Sequence, residues 1–269
     1  MKSPLFPASS AMKLQNGIKS TSRNLPVKLP IHTKKHVHCA SIVTHNFRVI
    51  WTEQPIFFID FEGSQISGVL EYGVVELRGG KIATTQTRLC QATGRVGDED
   101  LAVHGLSAAA VAPWAPFSDE WEFFASLRER GPLAAHYAGV ENALLKSVWP
   151  YPRNSPNFAR PGERVIDWGP WVDSARLYAQ LYPEIATGQL ESLVAACGLQ
   201  PELDALAAQR CPPKRRSYHA ALYDALAGAL LLISLARDVR LASLTVMQLL
   251  ALSTLDPQKR DALQQGELF

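Results

Sequence analysis

The first 50 residues contain no aspartate or glutamate, yet they hold eight of the 27 basic residues: Lys2, Lys13, Lys19, Arg23, Lys28, Lys34, Lys35 and Arg48. The formal net charge of +2 over 269 residues therefore hides an acidic remainder of 19 basic against 25 acidic side chains, a net of −6. A basic coat spread over that remainder is excluded, so any polyanion handled there must be held by a local patch or by metal ions. Cysteines at CxxC spacing are also lacking. Cys39, Cys90, Cys197 and Cys211 are scattered, which argues against a zinc ribbon or a thioredoxin-like site. Their scatter fits free thiols in a reducing compartment, which we read as the cytoplasm. Long apolar runs are missing as well. The most apolar uncharged stretch, Ala225 to Ala236, is shorter than the ~20 residues of a spanning helix and reads as a buried core helix. No internal repeat is visible, and with 47% apolar residues the chain can bury a full core without staples.

Three segments follow from composition: a basic extension over 1–50 with little fixed structure expected, a main domain over 51–240, and a helical tail over 241–269. Three readings of the extension stay open. It is an organelle transit peptide, a basic tail with non-specific nucleic-acid affinity, or upstream sequence without function. His32, His36, His38, His45 and Cys39 lie within it, but no periodicity offers a scaffold to gather them on a metal.

In the main domain, Ile56-Phe57-Phe58-Ile59 reads as a strand buried on both faces. Val69 to Leu77 and Lys81 to Leu89 read as two further strands joined at Gly79-Gly80. Gln91 to Leu106 reads as a loop, and Ser118 as the N-cap of a helix carrying Trp121, Phe124 and Leu127. Short strands are expected at Leu133-Ala134-Ala135 and Val165-Ile166, and helices at Glu141 to Trp149, Ser174 to Leu181, Leu190 to Cys197 and Tyr218 to Ala236. The order predicts an α/β domain, a mixed sheet with helices on both faces.

Acids mark the chemistry. Asp60 and Glu62 stand at positions i and i+2 of the first strand and so point to the same side. Two adjacent carboxylates repel unless a cation lies between them, and hard divalent ions prefer oxygen ligands of this kind. Glu141 falls at a helix start after the Leu133 strand. Asp224 interrupts the apolar face of the long helix, a costly place for a carboxylate that is neither paired nor metal-bound. His219 lies five residues before Asp224, ~140° away on a regular helix, and can share its site only from the preceding loop or the first turn. Lys214, Arg215 and Arg216 are either a solvated loop or a phosphate clamp.

Together these segments resemble the DEDDh branch of the DnaQ-like 3′–5′ exonuclease superfamily over about Ile56 to Arg237. That family shows an Asp-x-Glu strand, a His-Asn-x-x-Phe-Asp motif and a late His-x-Ala-x-x-Asp helix. Asp60 and Glu62 match the first, and His219, Ala221 and Asp224 match the third. Val103-His104-Gly105-Leu106 looks like its Ile-His-Gly-Ile loop, and Asp173-Ser174 like its Asp-Thr segment. The second motif departs from the pattern: His136 is kept, but Tyr137 stands for Asn, Val140 for Phe and Glu141 for Asp. The resemblance implies a ribonuclease H-like five-stranded mixed sheet and a nuclease that uses two divalent ions, Mg²⁺ or Mn²⁺. It implies that Asp60 bridges the ions, that Glu62 and Asp224 complete one site and Glu141 the other, and that His219 is the general base. The implied product is a nucleoside 5′-monophosphate from a single-stranded DNA or RNA 3′ end. Phe61, Gly63 and Leu106 are then expected along the terminal nucleotide. A catalytically weak or silent nucleic-acid-binding module, or an adaptor tied to replication, is the alternative. The closing Gln265-Gly266-Glu267-Leu268-Phe269 resembles the peptide by which bacterial replication proteins dock on a sliding clamp, making the clamp an implied partner through Gln265, Leu268 and Phe269.

Overall fold

The computed structural model describes residues 49–185 and 188–254. Most of the 1–50 extension, and Gln265, Leu268 and Phe269 of the clamp-like peptide, lie outside the described residues. In chain order the main elements are β1 (Ile56–Ser64), β2 (Gly68–Arg78), β3 (Lys81–Leu89), α1 (Asp98–His104), α2 (Ala108–Val111), α3 (Trp121–Arg130), β4 (Leu133–Ala135) and α4 (Ala138–Val148). Then come β5 (Ser155–Pro156), β6 (Arg164–Val165), β7 (Trp171–Asp173), α5 (Ser174–Leu181), α6 (Leu190–Ala196), α7 (Gln200–Arg210), α8 (Ala221–Ala236), α9 (Val239–Ala242) and α10 (Val246–Leu252).

Five strands form one mixed sheet in the order β3-β2-β1-β4-β7. β1, β2 and β3 pair antiparallel, while β1, β4 and β7 run parallel. Strand alternation divides the apolar residues between two cores. Ile56 and Phe58 of β1, Val75 and Leu77 of β2, and Val172 of β7 face α5 to α8 and α10. Phe57, Ile59 and Phe61 of β1, with Tyr72 and Val74 of β2, face α3 and α4. Helix α8 is apolar nearly all round because it is enclosed nearly all round. It seats very close to the sheet. A Cβ added at Gly228 would come within 2.1 Å of the Phe58 ring, and one at Gly73 within 2.3 Å of the Ala221 carbonyl. Among the described residues no helix is long and apolar enough to cross a membrane.

The structure corrects several expectations. The fifth strand of the main sheet is Trp171–Asp173, whereas Arg164–Val165 pairs only with Ser155–Pro156 in a separate two-stranded ribbon. Ser118 is not the cap of α3, because Phe117–Glu120 forms a 3₁₀ turn and the helix opens at Trp121. The loop expected over Gln91 to Leu106 contains α1, whose first turn carries Asp98, Glu99 and Asp100, favourable at a helix N-terminus. The described part of the expected tail, residues 241–254, packs onto the domain. Trp51 Nε1 donates to the Leu241 carbonyl at 2.7 Å, Ile50 bridges to Thr245, and Val246, Leu249 and Leu250 join the α8 core.

Candidate active site

The site lies at the C-terminal end of β1. Asp60 and Glu62 point to the same side as Ile56 and Phe58, toward α8. Asp60 lies opposite Gly73 and Glu62 opposite Glu71, so antiparallel pairing adds a third carboxylate beside the first two. A register shift between Glu62 and Gly63 then ends the regular ladder. Gly63 has φ of +125° and half-buried surface, and an added Cβ would strike the Gly68 carbonyl at 2.3 Å.

Glu141 enters from the next strand. β4 runs parallel to β1, so α4, which follows it, opens at the same end of the sheet. Glu141 sits in its first turn, 5% exposed, with the Phe61 backbone N–H near enough to draw its carboxyl down. The start of α4 is held firmly. Asp173 takes the Ala138 N–H at 3.1 Å and the Arg176 N–H at 3.2 Å, so one carboxylate caps both α4 and α5. His136 is a framework residue, with Nδ1 2.9 Å from Ser174 Oγ and Nε2 2.6 Å from the Gly188 carbonyl. Tyr137, standing where the family resemblance expects Asn, caps α4 in a left-handed conformation (φ +60°) with its ring partly exposed.

Asp224 is supplied by the first turn of α8 and is 8% exposed. His219 is not on the helix. It precedes the Ala220 N-cap, has φ of +65°, and donates its backbone N–H to Asp224 Oδ2 at 3.0 Å. That placement removes the angular obstacle of a five-residue spacing. Glu62, His219 and Asp224 each offer one ligand atom, all within 4.8 Å of one another.

The electrostatics of this end are unfavourable as they stand. Burial comes first in raising all four carboxyls above their ordinary values. Glu62 is pushed up to about 8 by burial, then by Asp224 and Glu71, with Arg215 pulling the other way. Glu141 is pushed up to about 8 by burial and the Glu62 charge, against the Phe61 N–H. Asp224 rises to about 7, its burial outweighing the His219 N–H and Arg215. Asp60 is raised by burial and by Glu141, Asp224, Glu62 and Glu71. Glu141 Oε2 and Asp224 Oδ1 are buried without any hydrogen-bond partner. Orphaned, mutually repelling oxygen donors of this kind fit hard divalent cations: Glu62 and Asp224 offer one set with His219 beside them, and Asp60 is near enough for the Glu141 and Asp224 charges to raise it.

Other expected site residues fall elsewhere. Phe61 is 6% exposed and packs edge-on against Phe117 at 5.2 Å in the α3–α4 core, leaving little surface for a base. Leu106 is equally buried, against Leu70 and Val111. Lys214 and Arg216 are exposed. Arg215 turns inward, its side chain 17% exposed, onto Glu71 at 2.5 Å. Glu71 was overlooked in the sequence. Its signal is a lone acid in the apolar run Val69-Leu70-Glu71-Tyr72, which a strand register opposite Glu62 would have exposed.

No protein-family model and no curated protein matches the chain. Solved structures do. Exonuclease X in complex with 5′-overhanging duplex DNA superposes with a TM-score of 0.53 at 21% identity, over 74% of this chain and 99% of that one. Exonuclease I superposes with a TM-score of 0.52 at 12% identity, over 70% of this chain and 42% of that one. A full-length 3′-exonuclease gives 0.50 at 14% identity, over 71% and 84%. Identities of this order speak to the fold alone: the five-stranded mixed sheet with its helices has a ribonuclease H-like architecture.

Proposed function

We propose that this protein is a metal-dependent 3′–5′ exonuclease that releases nucleoside 5′-monophosphates from single-stranded DNA or RNA. One observation carries the reading. Asp60 with Glu62, Glu141 and Asp224 come from three separate stretches of chain to one end of the sheet, where two of their oxygens are buried without a donor. The shared architecture with nucleases adds support, since one of those structures holds an overhanging DNA.

In this reading the carboxylates of Asp60, Glu62, Glu141 and Asp224 would hold the divalent cations. Mg²⁺ or Mn²⁺ bound there supplies Lewis-acid stabilisation of the charge that builds on the phosphoryl oxygens. His219 takes a proton from the attacking water as the water oxygen bonds to phosphorus. The bond from phosphorus to the preceding 3′ oxygen breaks with its electron pair on that oxygen, which takes a proton from solvent and becomes the new strand end, while His219 returns its proton to solvent. Exposed Lys214 and Arg216 contact strand phosphates in a domain that is otherwise acidic.

The test uses 3′- and 5′-labelled DNA and RNA oligonucleotides side by side with Mg²⁺ or Mn²⁺. Stepwise loss from the 3′ end, abolished by EDTA and by Asp60→Asn, supports the proposal. Tight binding without loss, in either nucleic acid, would replace it with a silent binding module, the reading that Tyr137 and Glu141 in place of Asn and Asp would then explain.

A further inference from the structure

Arg215 lies at the junction of three segments. Its Nε and Nη2 donate to Glu71 at 3.1 and 2.5 Å, its Nη1 to the His104 carbonyl at 2.7 Å, and its Nη2 also to the His219 carbonyl at 2.8 Å. Every nitrogen of the guanidinium is thus engaged by the protein. Glu71 is 2% exposed and is tied further by the Ala221 backbone N–H at 3.1 Å. The pair therefore joins β2 to the end of α1 and to both sides of the turn that carries His219.

That turn needs holding. His219 is exposed and adopts φ of +65°, a region that a side chain with a Cβ seldom occupies unless its surroundings impose it. Its N–H is fixed by Asp224 Oδ2 and its carbonyl by Arg215, so the peptide units on both sides of the residue are anchored. With both fixed, the imidazole is directed to within 4.8 Å of the Glu62 and Asp224 oxygens.

We infer that Arg215 is a positioning residue: anchored by Glu71, it clamps the His219 carbonyl, holds that residue in its left-handed conformation and aims the imidazole over the acid cluster. The inference rests on the exonuclease reading for its catalytic consequence, but not for its structural content. A planar fork with several donors is required, because a single ammonium cannot reach Glu71 and two carbonyls in diverging directions.

The experiment compares the full chain with Arg215→Gln, Arg215→Lys and Glu71→Gln. Steady-state kinetics on labelled single-stranded DNA with Mg²⁺ are expected to show kcat lowered about 100-fold in the Arg215 variants, with KM within a few-fold of the parent, as for a displaced catalytic group. In metal-free protein, the His219 ring resonance, identified by its loss in His219→Ala, is expected to shift and broaden in all three variants. A raised KM at constant kcat would make Arg215 a phosphate clamp and overturn the inference. So would an unmoved His219 resonance. Arg215→Lys, which keeps the charge and loses the fork, decides the matter where Arg215→Gln does not fold. If the parent chain shows no turnover, the exonuclease reading fails alone, and the resonance still reports on the clamp.

Discussion

Two regions of the molecule bury charge, and they treat it in opposite ways. Arg128 of α3 is fully buried, and its Nε, Nη1 and Nη2 donate to the carbonyls of Asp167, Pro156 and Gly169 at 3.1, 2.9 and 2.7 Å. Burial lowers it to about 10, partly offset by Asp167, and it is enclosed by chain it helps to fold. At the end of β1, by contrast, five acids crowd together, burial raises four of them, and Glu141 Oε2 and Asp224 Oδ1 find no donor. Buried charge satisfied by backbone serves the fold, whereas buried charge left short of partners is a cost retained for something that comes from outside.

The contrast is sharpest at Arg128. Arg128→Met deprives three carbonyls of their donors and is expected to destabilise the domain by roughly 3–5 kcal/mol in chemical denaturation, with the unfolding midpoint falling accordingly. The comparison breaks if that variant is as stable as the parent. Asp60→Asn should behave the other way. Nuclease activity falls more than about 100-fold, a loss beyond that usual for residues that merely support a metal ligand. The melting temperature in EDTA holds or rises, because a repelling charge is gone. A large loss of stability in Asp60→Asn would show that the acids serve the fold as Arg128 does.

Next in size is a pH effect. The raised carboxyls bind protons in the folded chain at pH values where the unfolded chain has released them, so their contribution is present below about pH 4 and is lost as pH climbs through about 7 to 8. Melting temperature in EDTA is therefore expected to fall by several degrees between pH 5 and pH 8, on account of this cluster, and to recover on adding Mg²⁺ or Mn²⁺. A parent and an Asp224→Asn variant that trace the same pH curve would remove the cluster from the explanation. The smallest effect is expected at Lys214→Ala and Arg216→Ala. Each should weaken single-stranded DNA binding a few-fold and reduce the salt slope by about one, if each meets one phosphate. An unchanged slope would leave them as solvated surface.

Much of this architecture was legible from residue order. The continuous apolar run before Asp60, the Gly79-Gly80 turn and the long uncharged helix each belong to a single strong pattern, and strands β1 to β3 and helix α8 follow it. What was missed is short or depends on partners. Strand β7 is three residues long, and its membership of the sheet comes from pairing with β4 and not from its own pattern. Helix α7 was overlooked although Pro201 and Glu202 mark its first turn. At the site, Asp60 and Glu62 stood out as paired carboxylates at i and i+2 after an apolar strand, and Asp224 because it breaks an apolar helix face. Glu71 breaks one too, but its importance lies in facing Glu62 across a ladder and in holding Arg215, which only tertiary register discloses. The same register turned Arg215 from an outward cation into an inward one.

One absence of atoms has a consequence for anyone who would alter this domain. Gly73 lies opposite Asp60 and directly beneath the Ala221 carbonyl, 2.3 Å from where its own Cβ would stand. The missing methyl acts as a gauge block: it sets how far the opening turn of α8 stands off the sheet, and hence the gap across which Asp60 and Asp224 face each other. Even alanine there would lift that turn like a shim under a hinge, and a displacement of ~1 Å is enough to cost ~10²-fold in rate without any reactive group being touched.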